Sequence, residues 1–365
     1  MSDINLGRRA AVRISFEGVN ITESIQPYLL SFEYTDSEED EADNLKIVLQ
    51  DRDGIWMEKW LNDAVNASSG AGGTGLNIKA VILRQNWNGD GKDEELDCGD
   101  FELDTVKCEG PPAKVTIKAT SLPYNAQIRQ TTKNKGWEKY NLSGIAAEMA
   151  GQCGMECMFL AANDPFYDRV EQYQMSDIAL LRRLSHDAGI SLKVTSKKLV
   201  LFDQVDYESK PPVMEIQKAP GAYSGGVSEK AYISYRLSIG TADTQYQSCR
   251  VSYNDPGTGK CIEGIYESPD GGGSGDGQRL EIHAKVSSAA QAKQLAEKNL
   301  RLHNKYCRTA EFTLSGNPAL VAGQTVNLTD WGSWSGKHII KQATHTIGGS
   351  GYTTEISVRK ALEGY

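Results

Sequence analysis

Short segments in which apolar and polar residues alternate one by one recur at both ends of this sequence. In the first third they cover residues 11–17, 29–34 and 45–51, and in the last of these Leu45, Ile47 and Leu49 share one face. A period of two puts every second side chain on the same side of a strand, so each segment predicts a strand with one buried face. Further strands are predicted at 76–87, 97–106, 114–119, 232–239, 249–253, 281–286, 307–314, 325–328, 338–347 and 353–358.

The middle of the chain has a different pattern. Residues 142–151 and 176–188 have the apolar spacing of helices, and Ser176 can cap the second helix while Gly189 can end it. A hairpin is predicted at 191–202, and a capping box of Ser288 and Gln291 opens one more helix at 288–304. We therefore predict a mostly β protein: a β-barrel or sandwich over 1–120, a small α+β insertion over 121–215, and a second β region with one long helix over 216–365.

Charge and composition argue against several classes of protein. The 365 residues carry a net charge of −9, whereas a general nucleic-acid binder usually presents a basic field. Every apolar run is far shorter than the roughly 20 residues that a membrane helix needs, and we recognise no signal peptide. The seven cysteines show neither a disulfide framework nor zinc spacing, so we expect reduced thiols in a cytosolic product.

The strongest local charge feature is the segment from Asp36 to Asp43, which holds six carboxylates in eight residues. Like charges repel, so such a run is expected to stay in water as a loop or a hairpin tip. A metal site or a site for a basic partner is the alternative interpretation of the same run. A second acidic stretch runs from Asp90 to Asp104.

Three motifs that could carry chemistry lie in the wrong context. The glycine pattern at 70–75 fits a dinucleotide loop, but a helix-like segment precedes it and a strand follows, the reverse of what a pyrophosphate site requires. Residues 257–260 lack parts of a phosphate loop and predict a hairpin turn. The segment from Asn86 to Asp97 resembles a calcium loop, but Asn replaces the first Asp and Asp replaces the final Glu, which favours a polar hairpin tip.

The remaining candidate residues do not form a recognisable active site. His338 and His345 fall seven residues apart on one predicted strand, so we expect them to face opposite sides. The nucleophile pattern G-x-S-x-G does not occur. We assign no catalytic, cofactor-binding or metal-ligating residue, and the residues by themselves indicate a structural or binding protein.

Several segments match, in chain order, the landmarks of one known family. The helix and hairpin at 180–202 match a middle domain, and residues 98–104 match the strand that closes a first barrel. Further landmarks are Trp137 with 142–150, then 109–112, 117–121, 288–304, 316–318, 322–326, 336–340, His345 and 351–354. In this order they resemble the phage late control gene D family, the baseplate hub proteins of contractile tails.

The resemblance implies two related β-barrels that flank the α+β domain, and a homotrimer whose six barrels adapt the sixfold tail tube to the threefold central spike. It implies a non-enzymatic virion component, made in the cytoplasm of a bacterial host and assembled into the baseplate of a phage, a tailocin or a related injection system. Expected partners are the tail tube protein, baseplate wedge or adaptor proteins, and a separate spike protein, because the chain stops after its last predicted strand. No cofactor and no membrane insertion are expected.

The acidic composition fits the conduit that the resemblance implies. Tape-measure protein or DNA would pass through the lumen of such a hub, and an acidic wall does not retain phosphate. We therefore expect the acidic stretch at 36–43, or the one at 90–104, to lie near the lumen or at a solvent rim.

Three alternatives stay open at this point. A tail-associated peptidoglycan hydrolase could hide its carboxylate pair among 48 acidic residues. The distal hub of a non-contractile tail would share the same barrels. A calcium-stabilised adhesin would use the segment from Asn86 to Asp97, and whether that segment binds an ion is not decided by the sequence.

Overall fold

The computed structural model describes residues 7–39, 41–56, 76–89, 91–121, 131–195, 197–218, 232–240, 245–254, 259–269 and 278–362. The first third contains β1 (Arg9–Phe16), β2 (Val19–Asn20), α1 (Thr22–Ile25), β3 (Leu29–Ser37), β4 (Asn44–Gln50), β5 (Asn77–Gln85), β6 (Asp93–Glu109) and β7 (Lys114–Thr120). The middle contains β8 (Lys133–Asn141), α2 (Leu142–Gln152), β9 (Glu156–Phe159), β10 (Phe166–Met175), α3 (Asp177–Ala188), β11 (Ser191–Thr195), β12 (Lys198–Phe202), α4 (Gln204–Glu208) and β13 (Met214–Gln217). The last third contains β14 (Tyr232–Ile239), β15 (Ser248–Asn254), β16 (Cys261–Glu267), β17 (Arg279–His283), α5 (Ala289–Asn304), β18 (Arg308–Ser315), β19 (Thr325–Thr329), β20 (Gly336–Gly348) and β21 (Gly351–Lys360).

Strands from the first and last thirds join in one hydrogen-bonded sheet. Over the described residues its order is β14-β18-β21-β20-β3-β4-β7-β6-β5-β1-β2, and β19 and β13 attach to it through β20. The two thirds meet where β20 pairs antiparallel with β3, from Gln342 opposite Ser37 to Gly348 opposite Ser31. The predicted fold class, mostly β with an α+β insertion, is confirmed, and the two β regions are continuous through this joint.

The insertion has its own layers. A ribbon of β8 and β10 and a three-stranded sheet of β9, β12 and β11 pack with α2 and α3 around an apolar core that includes Trp137, Ile145, Leu181 and Leu201. The predicted helices and the β11–β12 hairpin are confirmed. We did not predict β8, β9 and β10; β8 and β10 are rich in charged and exposed side chains and show little of the apolar alternation that marks a half-buried strand.

Buried apolar side chains form four clusters in the described residues. One lies under the strands of the first third, and another lies in the insertion. The last third contains two: one under β18 to β21 around Phe312 and Ile356, and one where α5 packs on the small sheet of β16, β15 and β17. The domain boundaries near 120 and 215 stay a prediction, because clusters alone do not define independent folding units.

Local capping signals set the ends of the two longest helices. The Ser176 hydroxyl accepts a hydrogen bond from the Ala179 N–H at 3.4 Å, and Gly189 ends α3 in the left-handed region at φ 69°. On α5, the Ser288 hydroxyl accepts from the Gln291 N–H at 3.2 Å. In the predicted capping box, the Gln291 side chain would accept a hydrogen bond from the Ser288 N–H. In the structure it accepts from the Ser287 N–H instead, at 2.7 Å.

Two composition-based expectations concern the whole chain. All seven cysteines are free thiols, and the expected reduced state of the protein in the cytosol stays a prediction. Among the described residues, no helix has the length and apolar content that a bilayer crossing demands.

Candidate functional site

The acidic turn between β3 and β4 lies at the meeting point of the first third, the insertion and the last third. Its residues Asp36, Glu38, Glu39 and Asp43 are buried, with exposed fractions of 6%, 2%, 8% and 1%. The prediction that this run stays in water is therefore wrong for these four acids, while Glu41 is exposed and residue 40 lies outside the described residues. Distant basic side chains surround the turn, and we call the whole set the junction cluster: Asp36, Glu38, Glu39, Asp43, Lys193, Glu208, Arg301, Lys305 and Arg359.

Arg359 on β21 holds the centre of the junction cluster. Its guanidinium, which is fully buried, donates to Glu38 Oε1 at 3.0 Å and to Glu208 Oε1 at 2.6 Å. The other oxygen of Glu208 pairs with Arg301 on α5 and accepts from the Leu362 N–H at 3.1 Å. Burial opposes the charge of Arg359, but the two carboxylates raise its pKa above the usual value, so the ion pairs persist in the interior.

Glu39 connects the acidic turn to both the insertion and the last third. Its carboxylate accepts from Ser191 on β11 at 2.7 Å, from Gln204 on α4 at 2.8 Å and from the Tyr306 hydroxyl at 2.8 Å, and it pairs with Lys305. Burial by itself raises the pKa of Glu39, but Lys305 and these hydrogen bonds lower it to about 2. The carboxylate is therefore ionised at any physiological pH, although it is buried.

Lys193 on β11 forms the second contact between the insertion and the acidic turn. Its ammonium lies 2.5 Å from Asp36 Oδ1 and 3.8 Å from Asp43 Oδ1. Burial raises the pKa of Asp43 to about 7. The positive charge of Lys193 opposes this rise, and the negative charge of Asp36 adds to it. Backbone contacts support the same geometry, since Asp43 accepts from the Ser37 N–H at 3.1 Å and its own N–H donates to Ser121 at 3.0 Å.

The junction cluster holds segments together and offers no reactive group to solvent. Removing one partner of such a buried network leaves an uncompensated charge, which costs about 3–5 kcal/mol. The ion pairs and hydrogen bonds of the cluster join the turn between β3 and β4 to four other elements, namely β11, α4, α5 and β21. This arrangement suits a protein that must keep several units in one fixed orientation.

A sequence signal for the junction cluster exists, although we did not use it. Lys193 lies between Leu192 and Val194, and Arg359 follows Val358, all within segments whose apolar residues are buried. A basic residue inside a buried strand requires an acidic partner. The sequence does not say which acidic residue that partner is.

Two buried histidines belong to the last third of the sheet. The pairing of β20 with β21 moves from Ile340 opposite Val358 to Gln342 opposite Ser357, so Lys341 is an extra residue. His338 and His345 therefore lie opposite Lys360 and Thr354, which are six residues apart and share one face. The expectation that the two histidines face opposite sides is wrong, because a bulge shifts the period of two by one residue.

His345 has a structural set of contacts. One ring nitrogen lies 2.8 Å from the Tyr352 hydroxyl and 3.2 Å from the Thr354 hydroxyl, and the other lies 3.0 Å from the Leu320 carbonyl. Burial lowers the pKa of His345 to about 4, so the ring is neutral at pH 7. This histidine connects β20, β21 and the loop at Leu320.

The candidate calcium segment forms the tip of the hairpin between β5 and β6, as predicted. The Asn86 side-chain oxygen accepts from the Gly91 N–H at 2.9 Å, inside the turn. Asp97 instead accepts from the Gly99 N–H at 3.0 Å and lies 3.5 Å from the Lys79 ammonium. The first and last candidate ligands thus have separate partners, and residue 90 lies outside the described residues.

The two glycine-containing motifs, at 70–75 and 257–260, lie wholly or partly outside the described residues. The glycine pattern at 70–75 lies outside the described residues. Asn254 on β15 is opposite Cys261 on β16, so these strands form a hairpin, and the residues at 255–258 lie outside the described part. Within the residues that the structure describes, no three His, Cys, Asp or Glu side chains are grouped as they would be around a metal ion.

The second acidic stretch lies on the surface of β6. Asp93, Glu94, Glu95 and Asp97 are exposed. Glu95 lies 3.4 Å from Arg13 on β1, and both side chains are about half exposed. Of the two stretches that we expected near a lumen or a solvent rim, this one exposes four carboxylates, whereas the described acids of the first stretch expose only Glu41. The position of either stretch in a lumen stays a prediction.

Known proteins share both sequence and fold with this chain. The family model described as phage tail baseplate hub (GPD) matches residues 115–351. The probable baseplate hub protein of Escherichia phage 186 is 25% identical over 193 residues, which are 53% of this chain and 44% of that protein. The chain thus matches less than half the length of this relative.

Two solved structures are similar over nearly the whole chain. A tail protein from Neisseria meningitidis has a TM-score of 0.68 at 12% identity and covers 96% of this chain and 97% of its own. An E. coli protein described as a component of the type VI secretion system has a TM-score of 0.52 at 11% identity, with 97% of this chain and 78% of that chain covered. At these identities the structures show the fold alone.

Proposed function

The chain belongs to the phage tail baseplate hub (GPD) family, whose model matches residues 115–351, and we propose that it acts as a structural hub at the centre of a baseplate, without enzymatic activity. The similarity of its fold to tail proteins and to a type VI secretion component supports this role. The interior chemistry agrees with it, because the charged side chains of the junction cluster are used to hold segments of the chain to one another.

We propose that three copies form the hub. The observation that carries this proposal is the joint between β3 and β20, which makes one subunit present two β regions in a continuous sheet. Three such subunits would present six β regions to a sixfold tail tube while keeping a single threefold axis for a spike. The hub would thus match the two symmetries of a contractile tail.

The proposed partners follow from this position. They are the tail tube protein on one side, a separate spike protein on the other, and wedge or adaptor proteins around the rim. Tape-measure protein or DNA would pass through the lumen, where the exposed carboxylates of β6 would repel phosphate instead of binding it. The protein would be made in the cytoplasm of the bacterial host and would reach its working place in the tail particle.

Native mass spectrometry of the chain produced together with its tail tube and spike proteins tests the proposal. We expect complexes that contain three copies of the 39.9 kDa chain, bound to the spike and to the tube protein. A chain that binds neither protein, or that binds them as a single copy, would contradict the hub role.

The non-enzymatic part of the proposal has its own test. A zymogram with bacterial cell wall should show no clearing at the position of the purified hub. Clearing that co-migrates with the hub and persists after further purification would instead support the hydrolase alternative.

A further inference from the structure

The junction cluster contains more carboxyl groups than basic groups. Five of its side chains are acidic and four are basic; eight of the nine are buried, and Lys193 is mostly buried. Lys341, whose ammonium lies 5.0 Å from the Tyr306 ring, is exposed to water, as is Glu41. Full ionisation of the cluster would therefore leave one uncompensated negative charge in the interior. A buried acid avoids the cost of such a charge by binding a proton.

Asp36 and Asp43 share the Lys193 ammonium, but their contacts are not equivalent. Asp36 Oδ1 pairs with this ammonium at 2.5 Å, and Asp36 Oδ2 accepts from the Ala322 N–H at 2.9 Å. Asp43 Oδ1 accepts from the Ser37 N–H at 3.1 Å and lies 3.8 Å from the ammonium, beyond hydrogen-bond distance. Asp43 Oδ2 is buried and has no hydrogen-bond partner among the described residues. The contacts thus favour the charged form of Asp36 and the protonated form of Asp43.

The electrostatic environment of Asp43 agrees with its contacts. Burial and the negative charge of Asp36 raise the pKa of Asp43 to about 7, although Lys193 and the Thr195 side chain lower it. Burial also opposes the charge of Lys193, but the two carboxyl groups raise the pKa of this lysine above its usual value. The lysine therefore stays protonated while Asp43 gains or loses its proton.

The other titratable groups near Asp43 supply no further positive charge. Tyr34 on β3 and Cys98 on β6 interact with its carboxyl group, and burial raises the pKa of each, so both are neutral at pH 7. Lys197 lies 3.8 Å from Glu102 on β6, which is separated from β4 by β7. Lys193 is thus the base on which an ionised Asp43 would depend.

Glu38 is the other candidate for the proton. Its Oε2 is also buried without a hydrogen-bond partner in the part of the chain that the structure describes, and burial raises its pKa. Its Oε1, however, accepts directly from the Arg359 guanidinium at 3.0 Å, whereas Asp43 has no ion pair at hydrogen-bond distance. The closer base favours an ionised Glu38 and makes Asp43 the better site for the proton.

Asp43 lies at the contact between the first third and the insertion. The preceding residue, Ala42, forms an isolated parallel bridge with Val194 on β11. The Asp43 N–H donates to the Ser121 hydroxyl at 3.0 Å, and this hydroxyl donates to the Val194 carbonyl at 3.1 Å. A negative charge on Asp43 therefore develops directly at this contact.

We propose that the junction cluster binds one proton at Asp43 Oδ2, and that loss of this proton weakens the contact between the insertion and the turn that joins β3 to β4. In the dissociation the Asp43 O–H bond breaks, its electron pair stays on the carboxylate, and the proton passes to water. The proposal does not depend on the trimer or on the hub role, so its failure would leave both intact.

The pH dependence of stability tests the site in the full chain. The folded-state pKa of about 7 is above the ordinary 3.8, so the stabilisation by the proton is complete below about pH 3.8 and is lost as pH rises through 7. Asp43→Asn has the shape of the protonated acid but cannot titrate. Relative to this variant, we expect the unfolding equilibrium constant of wild type to rise at least about tenfold between pH 5 and pH 8. Urea denaturation measures it, and Glu39 titrates below this window.

Two further variants locate the effect. Asp97→Asn removes an exposed carboxyl group and should keep the pH dependence of wild type. Glu38→Gln should keep it as well. Loss of the pH dependence in Glu38→Gln, with Asp43→Asn behaving like wild type, would overturn the inference in favour of Glu38. A pH dependence that is the same in all four proteins would overturn it outright.

Hydrogen exchange tests the structural consequence in the folded protein. The Ser37 N–H donates to the Asp43 side chain at 3.1 Å, and the Ser121 N–H donates to its backbone carbonyl at 2.9 Å. At pH 8 we expect both amides to exchange faster in wild type than in Asp43→Asn, and at pH 5 we expect equal rates. Equal rates at both pH values would show that ionisation does not loosen the contact and would overturn the inference.

Infrared difference spectroscopy of wild type alone provides a measurement that needs no folded variant. We expect the carbonyl absorption of a protonated carboxylic acid at pH 5 and its disappearance by pH 8. A folded wild-type chain without this absorption at pH 5 would overturn the inference.

Discussion

The two acidic stretches of this chain have similar composition and opposite environments. Asp36, Glu38, Glu39 and Asp43 are buried in the junction cluster, whereas Asp93, Glu94, Glu95 and Asp97 lie exposed on β6. Both stretches contact basic side chains. The difference lies in how far water has been removed from those contacts.

The comparison shows that local charge density does not decide whether an acidic run is solvated. A buried carboxylate is tolerated when fixed donors replace its water, as the four partners of Glu39 do. A surface pair such as Arg13 with Glu95 keeps most of its water and contributes little. The buried stretch therefore holds segments of the chain in fixed positions, and the exposed stretch contributes negative charge to the surface.

Among the changes that test this contrast, Arg359→Met should have the largest effect on stability. The change leaves Glu38 and Glu208 buried without their shared guanidinium, so we expect the free energy of unfolding to fall by about 3–5 kcal/mol. Urea denaturation measures it. The control Arg13→Met removes the exposed partner of Glu95 and should cost less than about 1 kcal/mol. Equal losses in the two variants would contradict the distinction between the two stretches.

The pH dependence of stability tests Glu39. The folded-state pKa of about 2 is below the ordinary 4.5, so the contribution of Glu39 is complete above about pH 4.5 and is lost as pH falls toward 2. The stability difference between wild type and Glu39→Gln should therefore shrink by about 2 kcal/mol between pH 6 and pH 3. Urea titrations at both pH values measure it.

A matched change at the exposed stretch completes that experiment. Glu95→Gln should differ from wild type by less than about 1 kcal/mol at both pH values. A wild-type to Glu39→Gln difference that is constant with pH would show that Glu39 is not held ionised by its neighbours.

A double-mutant cycle sharpens the comparison at the level of single pairs. Lys193→Met and Asp36→Asn, alone and combined, should give a coupling energy above about 1 kcal/mol, because the pair at 2.5 Å is mostly buried. The same cycle on Lys79→Met and Asp97→Asn, a pair at 3.5 Å whose side chains are at least half exposed, should give less than about 0.5 kcal/mol. A larger coupling energy for Lys79 with Asp97 than for Lys193 with Asp36 would contradict the distinction between the buried and the exposed stretch.

The smallest expected effect on stability belongs to the exposed stretch. Neutralising three acids with Asp93→Asn, Glu95→Gln and Asp97→Asn changes the net charge from −9 to −6, and should alter the free energy of unfolding by no more than about 0.5 kcal/mol. If this surface faces the proposed lumen, particles with the triple variant should retain more DNA after ejection. A loss of several kcal/mol would mean that these carboxylates are structural.

Local features were predictable to the extent that their causes are local. The helix α3, its Ser176 cap and its Gly189 terminator follow from interactions within a few residues, and all three are confirmed. The strands of the first third follow in the same way from a period of two. The ribbon of β8 and β10 was missed because its alternation is mostly charged, and its β character comes from pairing with another strand.

The candidate site was predictable only in part. The acidic run was singled out, but its burial was not foreseen, and the bulge at Lys341 reversed the expected faces of His338 and His345. A bulge cannot be recognised from the alternation of apolar and polar residues. In the same way, an acidic run does not indicate which distant donors will surround it in the folded chain.

By itself the sequence determined the mostly β class, the α+β insertion, the helix ends and the landmarks of a baseplate hub family, because each depends on neighbours along the chain. The tertiary structure decided that β3 pairs with β20 and that the acids at 36–43 become an interior junction. The partners explain this division. Arg359 is 321 residues from Glu38, and Lys193 is 157 residues from Asp36, so only the folded chain brings the charges together and removes their water.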